Sequence, residues 1–376
     1  MFGALLVVFA AQSPTWQGVV DAASAYARSD SVVGWSVALV RDGRIVAHHE
    51  AGFADRAVGQ RVDENTLYHW ASTTKTLTAV AIMQLRDRGQ LSLDDTVTKW
   101  IPELRRVHNP FGSMDDVTIR MLLSHSAGFQ NPTWPYGEGQ PWEPFEPMEW
   151  EQLVAMMPYQ RLLFAPGSRY GYSNPAFIYL GRIIELLTGD PYQVYIQKNI
   201  WAPLGMTRSY FNHSPRHLER DRANSYTRVR DRDTLIANGR EFHTGITTAN
   251  GGWNAPVADA ARWVAFLLGA APGDTSGARR YDVILRRSSL AEMWRPVVPV
   301  GESGESMGLS FYLATERGTR YASHSGDQQG FHLFMLLAPA SRAGVIFAFN
   351  TSADDGVSAP PYGAMLATAR ALLRQR

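Results

Sequence analysis

The chain has 376 residues, of which 45% are hydrophobic and 19% charged, with a net charge of +1 at pH 7. That is enough apolar material for a sizeable core, and the length suits one large domain or two. The near-zero charge, with no basic run, argues against a nucleic-acid partner, and the absence of cysteine excludes disulfides, a thiol nucleophile and a thiolate metal site.

Phe2 to Ala11 is apolar and small-residue rich, and Gln12-Ser13-Pro14 follows. Residues 1–14 read either as the end of a secretory signal, which predicts a periplasmic or secreted protein, or as a plain N-terminal helix of a cytoplasmic one. The stretch is too short to cross a bilayer, and no later stretch is apolar for long enough, so no stable membrane span is expected.

Trp35 to Val40 reads as a strand and Ile45 to His49 as its continuation. The Asp42-Gly43 pair between them is a hairpin signal. Leu67 to Trp70 leads into Ser72-Thr73-Thr74-Lys75. An apolar run from Leu77 to Leu85 follows and ends near Gly89, a pattern that predicts a buried helix with glycine just past its end. Ser72 then lies at the helix start with Lys75 one turn on, so hydroxyl and amine can meet. A serine hydroxyl is a weak nucleophile until a base takes its proton. A lysine buried near the positive end of a helix has a lowered pKa and can be that base. The competing reading is a capping serine and a surface lysine. Against it stands the scarcity of lysine: only Lys75, Lys99 and Lys198 occur, and only the first has a serine three residues before it.

Residues 117–205 read as mostly helical, with helices at Val117 to His125, Trp150 to Met157, Pro175 to Leu187 and Tyr192 to Trp201. Residues 130–147 form an aperiodic loop rich in Pro, Trp, Tyr, Gly and Glu, of a length that often carries function. Residues 212–245 are polar and arginine-rich and read as a surface excursion. Val257 to Leu268 is an amphipathic helix. Leu309 to Ala314, Tyr321 to His324, Phe331 to Leu337 and Val345 to Asn350 read as strands, and Ala364 to Leu373 as a final helix. Strands at both ends around a helical middle predict an α/β (α+β) fold: an antiparallel sheet flanked by helices plus a mostly helical insert. The expected division is a sheet domain from residues 15–75 and 246–376 and a helical domain from 76–245, with the active site between them.

Two further motifs stand out. Tyr172-Ser173-Asn174 precedes a proline-started helix and could relay a proton and hold a carbonyl; Tyr210-Phe211-Asn212 has the same spacing. His324-Ser325-Gly326 ends a strand whose edge could offer backbone groups to a substrate, glycine allowing close approach. Its rival, His243-Thr244-Gly245, sits in the irregular arginine-rich region. Gly304-Glu305-Ser306-Met307-Gly308 matches the letters of a hydrolase elbow, but that motif needs a strand before it and a helix after, and here a strand follows. No dinucleotide fingerprint, Walker loop or H-E-x-x-H is present, so neither a metal nor a cofactor is implied.

Taken in order, these pieces resemble the serine β-lactamase and DD-peptidase superfamily, in particular class C β-lactamases, DD-carboxypeptidases with histidine in the third motif, and family VIII esterases. The first motif matches Ser72 and Lys75, the Y-x-N motif Tyr172 and Asn174, and the third motif His324-Ser325-Gly326. The segments Gly89 to Asp95, Leu122 to Gly128 and Leu204 to Thr207 are similar as well, and the likeness runs from about Trp35 to Asn350. It implies a two-step acyl transfer. Ser72 attacks a carbonyl with help from Lys75 and Tyr172, either of which could be the base. Water or an alcohol then releases the acyl group. The resemblance further implies an oxyanion hole from the backbone N–H groups of Ser72 and Asp327, with Asn174 and residues 324–326 holding the acyl side chain. Histidine in place of lysine in the third motif puts efficient β-lactam hydrolysis in doubt. The implied partners are small ester, amide or β-lactam substrates. The alternatives are a penicillin- or peptidoglycan-sensing protein with little turnover, and an acyltransferase.

Overall fold

The computed structural model describes residues 14–130, 147–229, 234–269, 281–353 and 361–375. All but the last residue of the 1–14 segment (residues 1–13) and almost all of the aromatic loop (131–146) lie outside these.

The central element is a nine-stranded sheet. Its strands are β1 (Gly34–Arg41), β2 (Arg44–Asp55), β3 (Gln60–Arg61), β4 (Val298–Val300), β5 (Glu305–Met307), β6 (Tyr312–Glu316), β7 (Thr319–Gln328), β8 (Phe331–Ala338) and β9 (Ala343–Phe349). Their spatial order is β3-β2-β1-β9-β8-β7-β6-β5-β4, and every neighbouring pair is antiparallel. The first hairpin turns at Asp42 and Gly43, both with positive φ, the backbone a tight two-residue turn requires. β1, β8 and β9 run through the middle and are apolar on both faces, as doubly covered strands must be.

Each face has its own helical cover. Helix α1 (Trp16–Ser29) buries Val19, Val20, Ala23, Tyr26 and Ala27 along one stripe. With α5 (Pro361–Leu373) it covers the face bearing Trp35, Val37, Phe334, Leu336 and Phe347. The opposite face bears Ala38, Val40, Leu333, Met335 and Ile346. It packs against α4 (Val257–Leu267) and joins one buried cluster with α2 (Thr74–Asp87) and α3 (Asn174–Thr188), which pack on each other.

α2 is buried from Thr74 to Leu85 on all sides, so its polar side chains must find partners inside the protein. Two of its threonines are satisfied locally, Thr74 Oγ1 donating to Ala71 O at 2.6 Å and Thr76 Oγ1 to Thr73 O at 2.7 Å, while Thr78 Oγ1 donates to the distant Ala249 O at 2.6 Å. Each fully buried leucine, isoleucine or methionine on it contributes about 1.5–3 kcal/mol of burial. A second small sheet anchors the α2 start. Leu67–His69 and Tyr210–Phe211 both pair with Trp253–Pro256, and Trp70 stacks on Trp253 at 5.1 Å.

The arginine-rich excursion differs from expectation, because it carries a hairpin, Ser225–Val229 with Thr234–Gly239. Thr351–Ala353 pairs with it in parallel, a long-range partner that completes strands too polar to announce themselves by alternation. Among the described residues no helix is long and apolar enough to cross a membrane.

Candidate active site

Ser72 lies in the short 3-10 turn Ala71–Thr73 that runs into α2. Ala71, just before it, has φ +45, a left-handed conformation that is costly for a residue with a Cβ. The turn is held by Trp70 N–H donating to Trp253 O at 2.7 Å and Trp70 Nε1–H to Ala255 O at 3.0 Å. Thr73 Oγ1 also donates to Trp70 O, at 2.6 Å. These bonds fix where the Ser72 hydroxyl points.

Lys75 is fully buried. Its Nζ lies 3.0 Å from Ser72 Oγ and donates to Asn250 O at 2.7 Å. Among the described residues no carboxylate pairs with it, and the rings of Tyr172 and Phe177 lie 5.0 and 5.7 Å from Nζ. Burial therefore pushes its pKa well below the ordinary 10.5, because a charge there has lost its water without gaining a counter-ion.

Tyr172 reaches the same oxygen from the loop before α3, its Oη donating to Ser72 Oγ at 2.7 Å. Burial raises its pKa above the ordinary 10.0, so it stays a phenol. Ser173 caps α3, its side chain accepting from Ala176 N–H, and Asn174 is that helix's first residue.

His324 is on β7, fully buried, with Nδ1–H donating to Ser325 O at 2.6 Å. Burial, and then the nearby Lys75, hold its pKa down at about 3, so the ring is neutral at any ordinary pH. β6 pairs with β7 only as far as Ser323. Beyond that residue the β7 edge packs on the Ser72 turn. The approach is tightest at Gly326, where a Cβ would sit 2.4 Å from Trp70 O and 3.1 Å from Ser72 N. Ser325 is half-buried and Asp327 exposed; the Asp327 carboxylate accepts from His332 Nδ1–H at 2.8 Å.

Ser72, Lys75 and Tyr172 thus share one oxygen, with the 324–327 strand edge beside them. The rival motifs are elsewhere. Ser306 is in the middle of β5 with no helix after it. It lines a cavity of about 390 Å³ with Trp294, Leu313 and Tyr321, and none of Lys75, Tyr172 or His324 reaches that cavity. Tyr210 is in a strand, its hydroxyl bonded to Ser214, and His243 is an exposed residue outside the nine-stranded sheet.

Sequence reasoning missed several members of the cluster. His125 is fully buried and stacks on the Tyr172 ring, centroids 4.5 Å apart. Tyr170 and Tyr312 share a hydrogen bond of 2.6 Å, and the Tyr312 ring meets His324 edge-on at 5.8 Å. The Lys75 acceptor is a backbone carbonyl, Asn250 O, which no residue letter could signal. His125 was visible within the Leu122 to Gly128 segment, though without a role.

The family model described as Beta-lactamase matches residues 19–369. Esterase EstB of Burkholderia gladioli is 34% identical over 207 residues, 50% of this chain and 52% of its own. The chain thus spans about half the length of this curated relative. The octameric penicillin-binding protein homologue from Pyrococcus abyssi superposes with a TM-score of 0.77 at 29% identity, covering 95% of this chain and 77% of that one. A β-lactamase/D-alanine carboxypeptidase from Pseudomonas syringae superposes with a TM-score of 0.75 at 19% identity, covering 96% and 99%; at that identity the likeness is one of fold.

Proposed function

This chain belongs to the Beta-lactamase family, and from its cleft we propose a serine hydrolase that forms an acyl-enzyme at Ser72 on small ester or amide substrates. One observation carries the reading: Ser72 Oγ is held between Lys75 Nζ at 3.0 Å and Tyr172 Oη at 2.7 Å. The lowered Lys75 pKa supports lysine as the base. A phenol that stays protonated and donates to Oγ is suited to return a proton, not to take one.

In the proposed reaction Ser72 Oγ bonds to the substrate carbonyl carbon and its proton passes to Lys75 Nζ. The negative charge on the carbonyl oxygen is met by the N–H groups of Ser72 and Asp327. Collapse of this intermediate breaks the bond to the leaving group, which takes up a proton from the Lys75–Tyr172 pair. Water then adds to the acyl carbon and gives its proton to Lys75; the bond from that carbon to Ser72 Oγ breaks, and Lys75 passes the proton to Oγ, restoring the serine hydroxyl. Asn174 and the 324–326 edge hold the acyl side chain. A neutral His324 offers no positive charge to a β-lactam carboxylate. This favours carboxylesterase or D-amino-acid peptidase activity over β-lactam hydrolysis, and the similarity to Esterase EstB points the same way. On this reading the site lies between a proposed sheet domain, residues 15–75 and 246–376, and a proposed helical domain, residues 76–245.

The test is a substrate panel of p-nitrophenyl butyrate, a D-Ala-D-Ala peptide and nitrocefin, alongside fluorophosphonate labelling. Steady turnover of the ester or the peptide is expected. Ser72→Ala should abolish labelling and Ser306→Ala should leave it intact. Labelling that survives in Ser72→Ala overturns the proposal. A single stoichiometric burst without turnover makes the protein a sensor, and product transferred to added alcohol makes it an acyltransferase.

A further inference from the structure

His125 grips the Tyr172 loop at three points. Its backbone carbonyl accepts from Gly171 N–H at 2.8 Å. Its Nδ1 accepts from Ser173 N–H at 3.1 Å. Its ring lies against the Tyr172 ring, 28° from parallel, with Phe177 5.0 Å away. The residues before and after Tyr172 are therefore both bonded to His125, and the phenol between them is stacked on it. His125 holds this position at φ +53, a conformation that a non-glycine residue keeps only where its surroundings over-determine it. The Ser173 N–H also sets the tautomer: Nδ1 must carry a lone pair, so the single proton is on Nε2. A doubly protonated ring would have no acceptor for that bond. Burial, with Lys75 and His324 close by, keeps the ring neutral by lowering its pKa well below 6.5.

We infer that His125 is the positioning residue for Tyr172: it touches neither Ser72 nor the reacting carbonyl, and fixes the phenol so that its hydroxyl meets Ser72 Oγ. This rests on the reading of Ser72 as the nucleophile. Any residue at 125 keeps the carbonyl that binds Gly171, so substitution removes only the Nδ1 acceptor and the ring. His125→Leu loses both. His125→Asn keeps an acceptor in its carboxamide oxygen and tolerates positive φ, but loses the stack.

A misplacement of about 1 Å at a reacting group costs on the order of 10²-fold in rate. His125→Leu should therefore lower kcat for p-nitrophenyl butyrate about 10²-fold with KM changed less than about threefold, and His125→Asn should recover most of that loss. The deciding measurement is a cycle with Tyr172→Phe. If His125 acts through the Tyr172 hydroxyl, His125→Leu should cost almost nothing further once that hydroxyl is gone. A purely structural role would make the two losses multiply, and that result overturns the inference. If His125→Leu fails to fold, the same cycle run with His125→Ala, which also removes both the Nδ1 acceptor and the ring, decides by the same criterion. Failure of the Ser72 reading is a separate outcome, seen as activity or labelling that persists in Ser72→Ala.

Discussion

Gly326→Ala is the sharpest perturbation of the proposed oxyanion site, because the change is one methyl group on the strand edge that faces Ser72. The new Cβ would lie 2.4 Å from Trp70 O, whereas real Cβ contacts essentially never fall under 3.0 Å. The strand edge and the Ser72 turn must therefore part by at least about 0.6 Å, judged from that same contact floor. Neither side yields easily. Trp70 is tied to Trp253 and Ala255, and β7 is paired with β8 from Ala322 to Gln328. The separation falls between Ser72 N and the 326–327 peptide, where the two oxyanion donors are proposed to converge. Losing one such donor costs about 10²–10³ in kcat, or about 2.7–4 kcal/mol. Overpacking costs about 1–3 kcal/mol of stability. The expectation is a folded variant whose kcat/KM for p-nitrophenyl butyrate is down about 10²-fold, with the loss mainly in kcat. Stopped-flow acylation and thermal melting measure the two terms separately. A stable variant with kcat within about threefold of the parent would mean that close approach at Gly326 plays no part in catalysis, and the proposed oxyanion geometry would have to be abandoned.

Two further predictions concern stability. Between the folded-state pKa of Lys75, which burial lowers, and 10.5, the ordinary value for lysine, the unfolded chain binds a proton there that the folded chain does not. The resulting penalty is complete below the folded pKa and vanishes above 10.5. Lys75→Met deletes the group from both states. The stability of the parent relative to this variant should therefore rise with pH, by at most about 1.4 kcal/mol per unit, and level off near 10.5. Urea midpoints measured from pH 6 to 10 check this, and a flat or falling difference would show that the lysine is not buried neutral. Asn350, fully buried, accepts from Gly34 N–H at 2.7 Å and donates to Phe53 O at 2.9 Å and Asn224 O at 3.1 Å. Asn350→Ala strands these backbone groups and should cost about 3 kcal/mol with kcat unchanged; a loss under about 1 kcal/mol would contradict this account of the residue.

The elements legible in the sequence are those whose signal is local. The Asp42-Gly43 turn, the apolar run of α2 and the strand-then-glycine pattern at His324 each carry their cause within about ten residues. The contact of Ser72 with Lys75 was legible for the same reason, since one helical turn sets their spacing. Boundaries were harder. The helix expected at Val117 to His125 is Ile119–Leu123, because Thr118 caps it and Ser124 opens a turn. The strand expected to start at Leu309 starts at Tyr312, after Ser310 takes a positive φ. Helix α1 went unread because alanine and glycine dilute its apolar stripe. What remained hidden depends on distant chain: the hairpin at 225–239 needs Thr351–Ala353, and Tyr170 meets Tyr312 from 142 residues away.

Two of the strained backbone positions in this molecule lie beside the site. Ala71, next to Ser72, and His125, under Tyr172, are both non-glycine residues with positive φ, and each costs of order 1–3 kcal/mol. Neither is at an exposed loop tip, where such a conformation could relax. Ala71 is held by the Trp70–Trp253 stack and its carbonyl accepts from Thr74 Oγ1; His125 is held by the 171–173 loop that it in turn holds. Each strained residue sets the direction of a hydroxyl, and the two hydroxyls meet at 2.7 Å. Relaxing either backbone would swing one oxygen away from the other while the fold stayed intact. The packing that offsets this strain, two stacked tryptophans on one side and a stacked imidazole on the other, is what brings the two hydroxyls together before a substrate arrives.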